Sequence, residues 1–177
     1  MRRMKRHAER NAQGAMADIV AERNRRRNGR LVERRGRVEW ITLNKPERKN
    51  PLGAQMVNEL LYALDAAKED DGVRVIVLTG AGNAFSAGAD LGTFVSLLDA
   101  GDADGIRGFA RRGQAAFHAL RNAEFPVVAA ARGLALGGGN ELMLIANRIV
   151  AHAELHAGFP ERSVGLIPAW GGVAQSL

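Results

Sequence analysis

The chain has 177 residues, 46% of them apolar and 25% charged, with no cysteine and a formal net charge of +6. That length and balance fit one globular domain able to bury most of its apolar surface. They exclude a disulfide-framed scaffold, a thiol nucleophile and a thiolate metal site, and no apolar run approaches the roughly 20 residues that span a bilayer. A cysteine-free chain without an apolar signal segment suits a reducing interior, so the expected location is the cytoplasm.

The charge is unevenly placed. Residues 1–37 hold 13 of the 25 Lys and Arg residues but only 4 of the 19 acidic ones, and the remainder of the chain is net acidic. Residues 1–30 are therefore read as a basic arm, separate from a domain over 31–177. Such an arm suits an anionic surface. No aromatic side chain is interleaved with its charges to stack on bases, so nucleic acid is not the expected partner and a solvated extension is the simpler reading. Met16 offers a later start, and Glu9, Asp18 and Glu22 interrupt a transit-peptide pattern.

From Leu31 the pattern changes. "LVERRGRVEWITL" alternates and turns at Arg35-Gly36, which predicts a hairpin feeding a strand over Val38–Leu43. "NKPERKNPLG" reads as a polar loop. Met56, Val57, Leu60, Leu61 and Leu64 then fall at helical spacing and predict a helix from Gly53 to Lys68. "VRVIVLT" (Val73–Thr79) predicts a buried strand, followed by the glycine-bearing loop "GAGNAFSAGAD". A second helix is expected over Gly105–Arg121, a buried strand over Pro126–Ala131, and helix from Gly139 to Asn147 after "LALGGG". "RIVAHA" reads as a further strand and "FPERSVGLIPAWGG" as a loop-rich tail. Alternation of strands and helices predicts an α/β fold with a largely parallel sheet. No internal repeat is visible in the sequence.

Both glycine loops follow a strand and precede a helix, where α/β folds bind ligands. Neither is a nucleotide loop: Phe85 replaces the third glycine of G-x-G-x-x-G, and no G-x-x-x-x-G-K-[ST] occurs. "AFSAG" lacks the first glycine of a nucleophile elbow, which keeps Ser86, with His118, His152 or His156, as a weak hydrolase alternative. The triple glycine has a fuller account. Glycine admits close backbone approach, and the first N–H groups of a helix have no internal partner, so two such loops can each offer an N–H to a developing oxyanion. Glu141 then lies one helical turn in, where burial raises its pKa and the helix terminus lowers it. The competing reading, equally supported by spacing, makes the glycines a packing device and Glu141 a first-turn stabiliser. Glu161, after Pro160, is a second carboxylate; by default it is an ordinary loop residue, and spacing alone does not bring the two together.

Three segments in this order, "NAFSAGADL", "PVVAAARGLALGGGNELML" and "PERSVGLIPAWGG", closely resemble the enoyl-CoA hydratase/isomerase (crotonase) family. The resemblance covers Leu31 to Leu177 and leaves the arm outside. It implies a crotonase-like ββα superhelix with a twisted sheet, assembled as homotrimers or paired trimers, and an acyl-CoA thioester as substrate. By position it implies oxyanion-hole N–H groups at Ala89 and Gly138, with Ala87, Asp90 and Leu91 along the coenzyme A moiety. It further implies Glu141 and Glu161 as the catalytic pair for adding water across the double bond of a 2-enoyl-CoA. No metal or redox cofactor is expected, coenzyme A being part of the substrate. Asn140 and Asn147 depart from common family residues. Family members continue well past "GLIPAWGG", so the chain is expected to be C-terminally truncated or a piece of a larger enzyme, including the fused fatty-acid oxidation type. The same-fold alternatives are enoyl-CoA isomerisation and carbon–carbon cleavage. An inactive fragment that only binds is the alternative of another class.

Overall fold

Residues 30–175 are described in the computed structural model; the arm expected over 1–30 lies, apart from Arg30, outside them. The hairpin forms where the alternation placed it: β1 (Arg30–Arg35) pairs antiparallel with β2 (Val38–Leu43), turning through Gly36 at φ +62°. A left-handed residue at that turn matches the twist of the strands. After a short 3-10 turn at Pro46–Arg48, α1 (Ala54–Lys68) buries Met56, Val57, Leu60, Ala63, Leu64 and Ala67, the stripe that the helical spacing marked.

The rest of the chain repeats one plan. Each pass runs up a strand of a large sheet, crosses to a short strand of a second sheet, and returns through a helix or helical turn. The first pass is β3 (Val75–Gly80), β4 (Ala84–Ser86) and two helices, α2 (Leu91–Asp99) and α3 (Ala103–Arg121). The second is β5 (Val127–Ala131), β6 (Leu134–Leu136) and α4 (Gly138–Leu144). The third is β7 (Arg148–Ala151), β8 (His156–Gly158) and a 3-10 turn at Pro160–Val164, followed by α5 (Gly172–Gln175). The large sheet has the order β1-β2-β3-β5-β7, parallel beyond β2, and the small one is β4-β6-β8, wholly parallel. This is the ββα superhelix that the resemblance implied.

Two expectations need correction. β3 and β5 are not buried on both faces: their residues alternate between buried and half-buried, because helices cover one face, where Ile76, Leu78, Val127 and Ala129 meet α1 and α3. α2 falls in a stretch left without an element, although Leu91, Phe94, Val95 and Leu98 recur at helical spacing on one face; none of its residues is buried. Asn147, the second departure from the family pattern, starts the third pass: its N–H donates to the Val127 carbonyl (2.9 Å) and its Oδ1 accepts from the Val127 N–H (2.8 Å). Among the described residues no helix is long and apolar enough to cross a membrane.

Candidate active site

The small sheet gathers the three motifs. Residues 87–89 leave the C-terminal end of β4, Gly137–Glu141 leave β6, and Pro160–Glu161 leave β8. Strands this short carry no periodic signal, so the sequence could not show that these loops are neighbours. Glycine lets them touch. Gly88 has φ +93°, and a Cβ on it would stand 2.6 Å from the Leu136 carbonyl oxygen and 3.1 Å from the Gly138 nitrogen. Gly137 adopts φ +51° and ψ −123°, where a Cβ would stand 2.6 Å from Glu161 Oε1. Both positions need glycine for backbone shape and for room.

The loops are also fastened from behind. The Leu52 N–H donates to the Gly88 carbonyl (2.8 Å), the Asp90 N–H to the Leu52 carbonyl (3.3 Å) and the Ala87 N–H to the Lys49 carbonyl (2.8 Å). These bonds leave the Ala89 N–H over. It lies beside the Gly138 N–H, since a Cβ built on Gly138 would be 3.6 Å from the Ala89 nitrogen. Gly138 opens α4, so its N–H has no helical acceptor, and among the described residues no acceptor takes either group.

Both N–H groups border an apolar cleft of about 350 Å³. Ala87, Leu91 and Phe94 form one wall, Ile106, Phe109 and Ala110 of α3 another, and Leu166, Ile167 and Trp170 the third. The ionisable groups lining it are Glu141 and Glu161, so the structure brings together the two carboxylates that spacing left apart.

Glu141 is 2% exposed, and its Oε1 accepts from the Trp170 N–H (2.8 Å) and the Gly172 N–H (2.7 Å). Burial pushes its pKa up, the two N–H bonds pull it back, and the charge of Glu161 adds to the rise. The two N–H groups that pull it down belong to the tail that folds over Glu141. Glu161 sits in the 3-10 turn with its Oε2 buried and without a hydrogen-bond partner. A buried oxygen left unpaired faces a group still to arrive, or a strained site.

Several expectations move. The Asp90 carboxylate, expected along the coenzyme A moiety, caps α2 by accepting the Gly92 N–H (3.2 Å) and pairs with Arg48 (3.0 Å). Ser86 is no nucleophile. It is fully buried, its hydroxyl is bonded on both sides, and His118, His152 and His156 are exposed elsewhere. A Cβ at Gly138 would stand 2.6 Å from the Trp170 ring, so this glycine also makes room for packing. Oxyanion donor and packing device are therefore not alternatives at this glycine.

The sequence reading missed Trp170 and Asn50. Trp170 packs at 5.4 Å from Phe109 and 5.3 Å from Phe117, ring centre to ring centre, and its backbone N–H holds Glu141. The available signal was a large aromatic inside a glycine- and proline-rich tail. Asn50 gave none.

A family model described as enoyl-CoA hydratase/isomerase matches residues 33–176. The sequence is 40% identical over 142 residues to a "probable enoyl-CoA hydratase" of Rhizobium meliloti, covering 80% of this chain and 53% of that one. It is 34% identical over 149 residues to a short-chain-enoyl-CoA hydratase of Clostridium acetobutylicum, covering 84% and 56%. The crystal structure of an enoyl-CoA hydratase from Bacillus anthracis superposes with a TM-score of 0.79 at 30% identity, over 84% of this chain and 57% of that chain. The chain spans about half the length of the curated relatives it matches.

Proposed function

The chain belongs to the enoyl-CoA hydratase/isomerase family, and from that we propose that it binds a 2-enoyl-CoA thioester in the cleft and adds water across the double bond. One juxtaposition carries the reading: two adjacent N–H groups without acceptors, at Ala89 and Gly138, border the same apolar space as Glu141 and Glu161.

The thioester oxygen accepts from both N–H groups. As water attacks C3, the double-bond electrons move onto the carbonyl and that oxygen gains charge. Fixed donors in a dry site stabilise this developing charge more than the neutral carbonyl, which lowers the barrier. The reaction needs one carboxylate charged and the other protonated, and burial and the charge of Glu161 favour the proton on Glu141. The charged member takes a proton from water as the oxygen–carbon bond forms at C3. The protonated member gives its proton to C2 as the enolate collapses. One proton remains on the pair, now on the other carboxylate, and exchange between them restores the start. Ala87 and Leu91 flank the coenzyme A portion, and Asp90 acts on that wall by capping α2.

Crotonyl-CoA is the test substrate. The expected result is loss of the enoyl thioester absorbance with formation of the 3-hydroxyacyl-CoA. A shifted double bond, or cleavage of a carbon–carbon bond in a suitable substrate, with no hydration would overturn the reading in favour of another chemistry on the same site.

A further inference from the structure

We propose that Ser86 is a positioning residue for the Ala89 N–H, and that its hydroxyl, held by Asn50, sets how well the oxyanion hole is aimed. The proposal rests on the reading of Ala89 as an oxyanion donor.

Ser86 ends β4, is 0% exposed and has a saturated hydroxyl. The Oγ–H donates to the Asn50 carbonyl (2.8 Å), and Oγ accepts from the Gly88 N–H (3.1 Å). This bond fixes the Ala87–Gly88 peptide, the one before the Gly88–Ala89 peptide that carries the Ala89 N–H and whose carbonyl accepts the Leu52 N–H (2.8 Å). Gly88 sits at φ +93°, a flexible residue in a conformation open to few others; Leu52 holds the peptide after it and Ser86 the peptide before it, so the two together set its dihedrals.

The restraint is itself anchored. Asn50 is 0% exposed and left-handed at φ +55°. Its amide donates to the carbonyls of Ala81 (2.9 Å), Ala84 (2.9 Å) and Phe85 (3.3 Å), and its Oδ1 accepts from the Lys45 N–H (2.8 Å). The loop before α1 is thus tied to both ends of β4, and Ser86 passes that order to Gly88. On its other side Ser86 abuts α4: a Cβ on Gly139 would stand 2.8 Å from the Ser86 Cβ and would run into its carbonyl. One residue is therefore in register with both loops that supply oxyanion donors.

Ser86→Ala keeps the Cβ that abuts α4 and removes the hydroxyl with both its hydrogen bonds. Deleting an oxyanion donor outright costs about a hundredfold in rate or more. Misaiming one costs less, so kcat should fall about tenfold with KM changed by less than about threefold. Ser86→Cys, returning a weaker donor of similar size, should recover part of the loss. The second readout is a 4-dimethylaminocinnamoyl-CoA probe, whose absorption moves to the red as its carbonyl is polarised. Bound at saturation, it should show a smaller red shift on Ser86→Ala than on the parent, with melting temperature measured alongside. A parent red shift retained in full by Ser86→Ala, with kcat also retained, overturns the proposal. A parent that binds the probe with no red shift overturns the oxyanion reading instead.

Discussion

Glu141→Gln separates stability from chemistry at the centre of the site. The Glu141 Oε1 accepts two backbone N–H groups at 2.7–2.8 Å, and a glutamine carbonyl can keep both. What changes is the ability to ionise. Because the folded-state pKa of Glu141 is raised, folding favours its protonated form. Its contribution to stability is therefore full below the unfolded-state value near 4.5 and is lost as pH rises through the folded-state value. Each unit of that rise is worth about 1.4 kcal/mol. Glutamine pays nothing on ionisation, so the variant should gain on the parent as pH rises from 4 to 8. One kcal/mol corresponds to about 2–4 °C in melting temperature for a chain of this size. Hydration should meanwhile fall by about 10²–10⁴, the range for a lost acid–base group. Melting curves at several pH values and crotonyl-CoA turnover on the same preparation make the comparison. A melting difference that stays flat across the range, or turns against the variant as pH rises, refutes the argument from burial.

Three further outcomes can be measured directly. Glu161→Gln should lower turnover by several orders of magnitude with much less effect on binding, whereas near-parental turnover would remove Glu161 from the mechanism. Gly138→Ala should lose about 1–3 kcal/mol, because the new Cβ meets a Trp170 ring already wedged between Phe109 and Phe117, and its folded fraction should also turn over slowly; an unchanged melting point contradicts the packing part. Deleting residues 1–29 should leave acyl-CoA affinity unchanged while removing any salt-sensitive binding to polyanions, and a large loss of acyl-CoA affinity would place the arm at the site.

Long elements were legible because periodicity and burial agree in them. α1 carries its stripe from Met56 to Ala67, and β2 follows its own alternation. The three-residue strands were not, since Ala84–Ser86, Leu134–Leu136 and His156–Gly158 are too short to show a period. They nevertheless decide the site by setting which loops are neighbours. Glu141 and Glu161 were candidates from their local settings, motif resemblance gave them a shared role, and their convergence needed the second sheet. Asn50 stayed hidden because its value lies in partners more than thirty residues away, and no local pattern encodes such bonds. The weak hydrolase alternative at Ser86 has the same origin: a strand-to-helix serine looks alike whether its hydroxyl is free or bonded on both sides.

Placing one site segment at the tip of each strand of a parallel sheet gives the chemistry a fixed gauge. Adjacent strands run about 4.8 Å apart because backbone hydrogen bonds hold them there. The lateral offsets between the anchors of Ala89, Gly138 and Glu161 are therefore inherited from the main chain and cannot be tuned by side-chain replacement. Substitutions can reshape the cleft walls or exchange an acid for a neutral group while the spacing persists. A change in chain length has no such freedom. Sliding β6 by one residue against β4 and β8 would carry Gly138 about 3.3 Å along the strand axis and turn each β6 side chain to the opposite face. Replacing a side chain on the cleft wall leaves this frame standing; insertion or deletion between Leu134 and Gly138 dismantles it.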